Sequence, residues 1–190
     1  MHCVCSRTLA VEGSAPPGQP GTYGAEVIST DDYMSFVDEA IDGMIQIVEA
    51  LGDELANRRP AFPEANSPYA ILTHCLGVME YWGGHLVAGR EVVRHRDAEF
   101  VASGPVGELL ARVAEVRRRF AGDVAGAEPS ASLRGELPPT WTKDRLGASG
   151  RSQGGALLHV YEELAQHRGQ MEGGRDALLA GAAAPQDGGV

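Results

Sequence analysis

Glu163 and His167 stand four residues apart in the sequence. On an α-helix that spacing projects both from one face, about 6 Å apart. Ala156, Val160, Gly174 and Leu178 fall on the same face, so the carboxylate and the imidazole sit on the stripe that must meet a core. His74 holds a comparable place in an earlier stripe formed by Ile71, His74, Val78, Tyr81 or Trp82, and His85. Burying ionisable groups without partners is costly. A cation between them is one compensation, and bundles often build metal sites from side chains on facing helices. A plainer reading stands beside it: a core histidine satisfied by a nearby acceptor, and Glu163 paired with protonated His167 across one turn. Spacing alone leaves both open.

Taken as ligands, two imidazoles and one carboxylate suit zinc, and also nickel or ferrous iron. Three protein ligands leave a position open, the pattern of catalytic rather than structural zinc. Around them, His159, Tyr161 and Glu162 are the candidates for handling a proton. His159, one turn before Glu163, could join the site or support it from outside, but it is roughly 12 Å from His167 by helix rise, too far to share one ion with it on a straight helix. His85 lies about 16 Å beyond His74 along its helix; His95 and His2 read as exposed. Cys75 adjoins His74 but points about 100° away around the helix, so it is not read as the nucleophile. The three cysteines, Cys3, Cys5 and Cys75, are an odd number and imply no disulfide framework. Cys3 and Cys5 alone cannot complete a tetrahedral metal site.

Four helices must position these groups. The first is predicted from about Ser29 to Arg58, with Asp31 and Asp32 in its first turn and a stripe of Val37, Ile41, Met44, Val48, Leu51 and Leu55. The second starts at Ser67-Pro68, an N-cap followed by proline at the first helical position, and is expected to reach about Arg94 despite Gly83-Gly84 within it. The third follows Gly104-Pro105 and carries Leu109, Val113, Val116, Phe120 and Val124. The fourth runs from near Ser152 toward Leu179, with a kink or fraying expected at Gly173-Gly174. Between the last two, residues 126–149 form a long proline-rich connection of the kind that is often functional, with Trp141 expected as a plug or a pocket wall. The expected fold is all-α: an up-and-down four-helix bundle over 29–180, with disordered tails at 1–28 and 181–190.

The chain has 190 residues, a formal charge of -10 and 6% aromatic residues, enough for one domain with a mostly aliphatic core. The acidic balance argues against nucleic acid, and Arg117-Arg118-Arg119 reads as a solvated helix face. No apolar run approaches the ~20 residues of a membrane span, and residues 1–13 lack the apolar core of a signal peptide. A cytoplasmic protein that does not bind membranes is expected, with a homodimer left open.

Two strings carry a resemblance. SPYAILTHCLGVMEYW, from Ser67 to Trp82, is similar to the second helix of DinB-like proteins. LLHVYEELAQHRGQM, from Leu157 to Met171, is similar to their last core helix. The likeness spans roughly residues 30–180 and is nearest to the actinobacterial branch of mycothiol-dependent enzymes. Many DinB-like proteins bind a divalent metal through one histidine on the second helix and an H-x-x-x-H on the last. Here Glu163 replaces the first histidine of that pair, as in the maleylpyruvate isomerase branch. The resemblance thus implies His74, Glu163 and His167 as ligands of a divalent metal, most simply zinc, and mycothiol as co-substrate. It implies a thiol S-transferase or thiol-dependent isomerase, in which the metal favours the thiolate that attacks an electrophilic small molecule. Two other readings remain: a non-catalytic, stress-related metal- or small-molecule-binding protein, and a metal-free dimeric scaffold with His74 far from His167.

Overall fold

The structure is a computed structural model that describes residues 28–138, 141 and 147–183. The expected N-terminal tail, with His2, Cys3 and Cys5, lies outside the described residues but for Ile28, as does most of the expected C-terminal one. Helix α1 spans Thr30–Ala56, and its N-cap Ser29 accepts a hydrogen bond from the Asp32 backbone N–H. Its stripe is buried as expected, from Val37 to Leu51. Gly52 interrupts it at φ 64°, a left-handed conformation open to glycine at little cost.

Helix α2 spans Pro68–Val78, with Ser67 capping Ala70. The chain then widens into a π-helical segment, Met79–Val87, seen in the Ala88 N–H donating to the Gly83 carbonyl. Gly83 lies against Phe120, whose ring fills the space a Cβ would need. The helix therefore does not reach Arg94. It stops because Gly89 turns to φ 75° and Arg90 folds back, its guanidinium making two 2.8 Å bonds to Asp123.

A four-residue helix, α3 (Arg96–Glu99), follows, then α4 (Val106–Ala125) and α5 (Gln153–Ala183). Helix α5 runs through Gly173 and Gly174 unbroken and ends beyond Leu179. At its start the Ser152 hydroxyl accepts from the Gly155 N–H.

The expected all-α bundle is what the chain forms, and cross-contacts fix the helix directions. Tyr33 of α1 donates to the Leu157 carbonyl of α5, and Arg168 reaches Glu39, so α1 and α5 run parallel. Asp53 accepts from the Val106 N–H while Asp38 pairs with Arg117, so α4 opposes α1. His74 meets Glu163 while Trp82 meets His159, so α2 opposes α5. Helix α4 thus repeats the direction of α2 instead of alternating with it. Residues 88–105 must then cross back along α2, a helical stretch of about 30 Å that this length of chain spans easily. That crossover covers the outer face of α2, and every residue of α2 is buried. Among the described residues no helix is long and apolar enough to cross a membrane.

Candidate metal centre

His74 and the pair Glu163/His167 come from antiparallel neighbours, α2 and α5, and meet at mid-helix. One ligand atom from each lies within 4.8 Å of the others. His74 Nε2 is 3.3 Å from Glu163 Oε2, and His167 Nε2 is 3.4 Å from the same oxygen. The two imidazole rings stand edge to face at 5.0 Å. A scaffold with His74 far from His167 is therefore excluded.

The other ring nitrogens determine what these atoms can do. His74 Nδ1 lies 2.7 Å from Glu99 Oε2, and an ionised carboxylate only accepts, so Nδ1 carries the proton. His167 Nδ1 lies 2.8 Å from the Gln170 side-chain oxygen and donates likewise. Each neutral imidazole then turns a lone pair on Nε2 toward a carboxylate oxygen. Two lone pairs and an anion at this range repel unless something positive sits between them, a proton or a cation. The donor set thus fits a divalent metal on its own chemistry. Without one, a proton serves: burial disfavours charge on His74, but hydrogen bonds to Glu163 and Glu99 outweigh it and hold the imidazole above its ordinary range. Glu163 is held well below the carboxylate range, chiefly by His167 and His74, against the effect of burial.

Two residues at the site carry no helical spacing signal. Burial pushes Glu99 up, yet bonds from His74 and Arg94 hold it at about 2. Arg94 grips Glu99 through two nitrogens at 2.8 and 2.9 Å. Both come from the crossover. The sequence pattern puts Arg94 at the end of the second helix and gives Glu99 no element at all.

A cavity of about 430 Å³ is lined by two of the three groups, His74 and Glu163, with Val78, Trp82, Arg94, Arg96, Trp141 and His159. Trp141 is a wall, stacked on Trp82 at 5.8 Å. A groove of about 480 Å³ lies between α1 and α4, but its Arg117 is engaged by Asp38 and Asp42 and none of the three donors lines it. His159 lies over Trp82 at 4.2 Å, with Nε2 3.7 Å from Glu163 Oε1. Tyr161 instead packs on Phe36 of α1, and Glu162 is exposed. Neither lines the cavity. His85 faces the carbonyls of Arg90 and Glu136, tying down the long connection, and His95 is exposed. Cys75 is fully buried, and burial pushes its thiol far up, which agrees with its exclusion as a nucleophile.

An all-helical bundle whose second and last helices bring a histidine against an E-x-x-x-H pair is the arrangement that the resemblance to DinB-like proteins implies. The family model for mycothiol S-transferases matches residues 32–179, and the chain belongs to that family. No curated protein matches it.

Proposed function

We propose that the chain joins the thiol of mycothiol to an electrophilic small molecule at a divalent-metal centre held by His74, Glu163 and His167, with zinc as the metal. The observation that carries this reading is the convergence of three donor atoms within 4.8 Å, both imidazoles turned so that Nε2 faces the gap. When bound, the metal would supply the positive charge that stabilises a thiolate at neutral pH.

The chain's own residues do the rest. Glu163 offsets the cation's charge, since it stays ionised beside two imidazoles. Trp82, Trp141 and Val78 give the cavity an apolar wall that limits water around the reacting sulfur. A thiol entering the cavity must give up its proton. His159 is the sequence candidate that lines the same cavity, and its Nε2 would accept it. The sulfur then forms a bond to the electrophilic carbon as that carbon's bond to a leaving group, or its π bond, breaks, and the proton goes to the leaving group or to the atom of the adduct that takes the electron pair. Small thiols are kept reduced in the cytoplasm, where we place the reaction.

The test is the rate of mycothiol conjugation by the purified chain, before and after chelation and on adding zinc back. Loss under chelator with recovery on zinc is the expected result. An unchanged rate in metal-depleted protein would refute the metal's part in it.

A further inference from the structure

We infer that Glu99 is a positioning residue for His74: the crossover between α2 and α4 carries the carboxylate that decides which nitrogen His74 presents and how tightly a divalent cation is held. The inference rests on reading His74 as a ligand.

Four observations converge on Glu99. It is 7% exposed although charged, and one of its oxygens lies 2.7 Å from His74 Nδ1. Arg94 holds both of its oxygens, so the carboxylate cannot rotate away from the imidazole. Gly77 lies one turn beyond His74 on the same face of α2, and a Cβ there would overlap the Glu99 carboxyl group. The hollow that receives Glu99 therefore requires glycine. Phe100, the next residue, stacks on the His74 ring at 4.5 Å and 28°, fixing the ring plane while Glu99 fixes its rotation within that plane. The short helix α3 ends at Glu99 and so places residues 99 and 100 side by side against His74.

A latch that only pinned the crossover to α2 would need the ion pair but not the imidazole. Its hydrogen bond is aimed at the one nitrogen that the cation does not use. A carboxylate accepting from Nδ1–H locks the Nε2 lone pair toward the gap and makes it a stronger donor. Loss of such a partner commonly weakens metal binding about 10–100-fold.

The experiment uses the full chain with zinc as the probe, and competes a chromophoric chelator against wild type, Glu99→Ala, Glu99→Gln and Asp123→Asn. Nitrogen NMR of the metal-free proteins, at a pH where His74 is neutral, reads its tautomer directly. Glu99→Ala is expected to weaken zinc about 10–100-fold and to convert His74 from the Nδ1–H form to a mixture. Glu99→Gln keeps an accepting oxygen and the shape, so it guards against misfolding in the alanine variant. It is expected to keep the tautomer and lose less affinity. Asp123→Asn disturbs another ion pair of a buried carboxylate, with half-buried Arg90, and should leave zinc affinity unchanged even if it lowers stability. The inference is overturned if Glu99→Ala keeps both the tautomer and the wild-type affinity, or if Asp123→Asn loosens zinc as much. A wild-type chain that takes up no zinc refutes the metal reading and the affinity half of this inference. The tautomer shift then decides Glu99's hold on His74 independently.

Discussion

Glu163 Oε2 faces two imidazole nitrogens at 3.3 and 3.4 Å, and that crowding sets what single substitutions should do. His167→Ala is expected to abolish tight zinc binding while circular dichroism still reports a helical protein, because the stripes of α1 and α4 do not pass through the site. Glu163→Gln keeps volume but removes the anion that offsets the cation. Zinc affinity should fall, with stability of the metal-free protein changed by no more than about 1–2 kcal/mol. The pH dependence follows from the shifts. His74 sits above its ordinary 6.5, so its contribution is complete below that pH and is lost as pH rises through the raised value. Glu99 sits at about 2 against an ordinary 4.5, so its contribution is complete above 4.5 and is lost as pH falls toward 2. Urea midpoints of the metal-free chain should therefore peak between pH 4.5 and 6.5. Zinc affinity should run the other way as pH falls through the raised value, weakening as His74 protonates while the metal-free chain gains stability. A midpoint that climbs steadily above pH 6.5 would contradict the assignment of His74. The three candidate ligands stand out because each is an ionisable residue on an otherwise apolar stripe, but spacing left a proton-bridged pair equally open, and the family resemblance is what singled them out as ligands. Glu99 and Arg94 do not stand out, since they lie on a crossover whose partners are fixed by tertiary contact and follow no helical period.

At the scale of elements, α2 explains most of what sequence reading missed. Residues 68–79 are apolar on nearly every face, and a helix of that kind is buried all round. A stripe reading looks for one buried side, so the second cover, the crossover, went unseen. The widened turn at Met79–Val87 and the stop at Gly89 likewise depend on Phe120 and Asp123, more than 30 residues away in sequence. The glycines give a paired test. Gly173 is exposed on α5, and a methyl group placed there would meet nothing within 4 Å. Gly173→Ala should therefore stabilise the chain by up to about 1 kcal/mol through helix propensity alone. Gly83→Ala gains the same propensity but forces a methyl group into Phe120. Overpacking of that sort costs about 1–3 kcal/mol and should win. Denaturant titration of the two variants should give opposite signs. Two stabilised variants would mean that the π-helical segment is looser against α4 than described.

Over the whole molecule, the bundle and its four long helices were legible from caps and stripes, because Ser29, Ser67-Pro68 and Ser152 act where their residue types say they should; the four-residue α3 was not. The order of directions was not, since α2 and α4 run parallel only by virtue of the crossover. Arg117 and Arg119 pair with Asp38, Asp42, Glu80 and Glu115, so two members of the basic run are spent within the bundle. If the site holds zinc, the metal ties α2 to α5. Binding at about 100 times Kd adds about 2.7 kcal/mol, a rise of roughly 5–10 °C in Tm for a chain of this size. Chelation should reverse it without loss of helicity, as followed by circular dichroism on heating. The most direct test of the central claim is X-ray absorption at the zinc edge of the loaded chain, without added thiol. A shell of nitrogen and oxygen at about 2.0–2.2 Å is expected, with the signature of two imidazoles in wild type and of one in His167→Ala. A sulfur shell, or a spectrum unchanged by that substitution, would contradict the account.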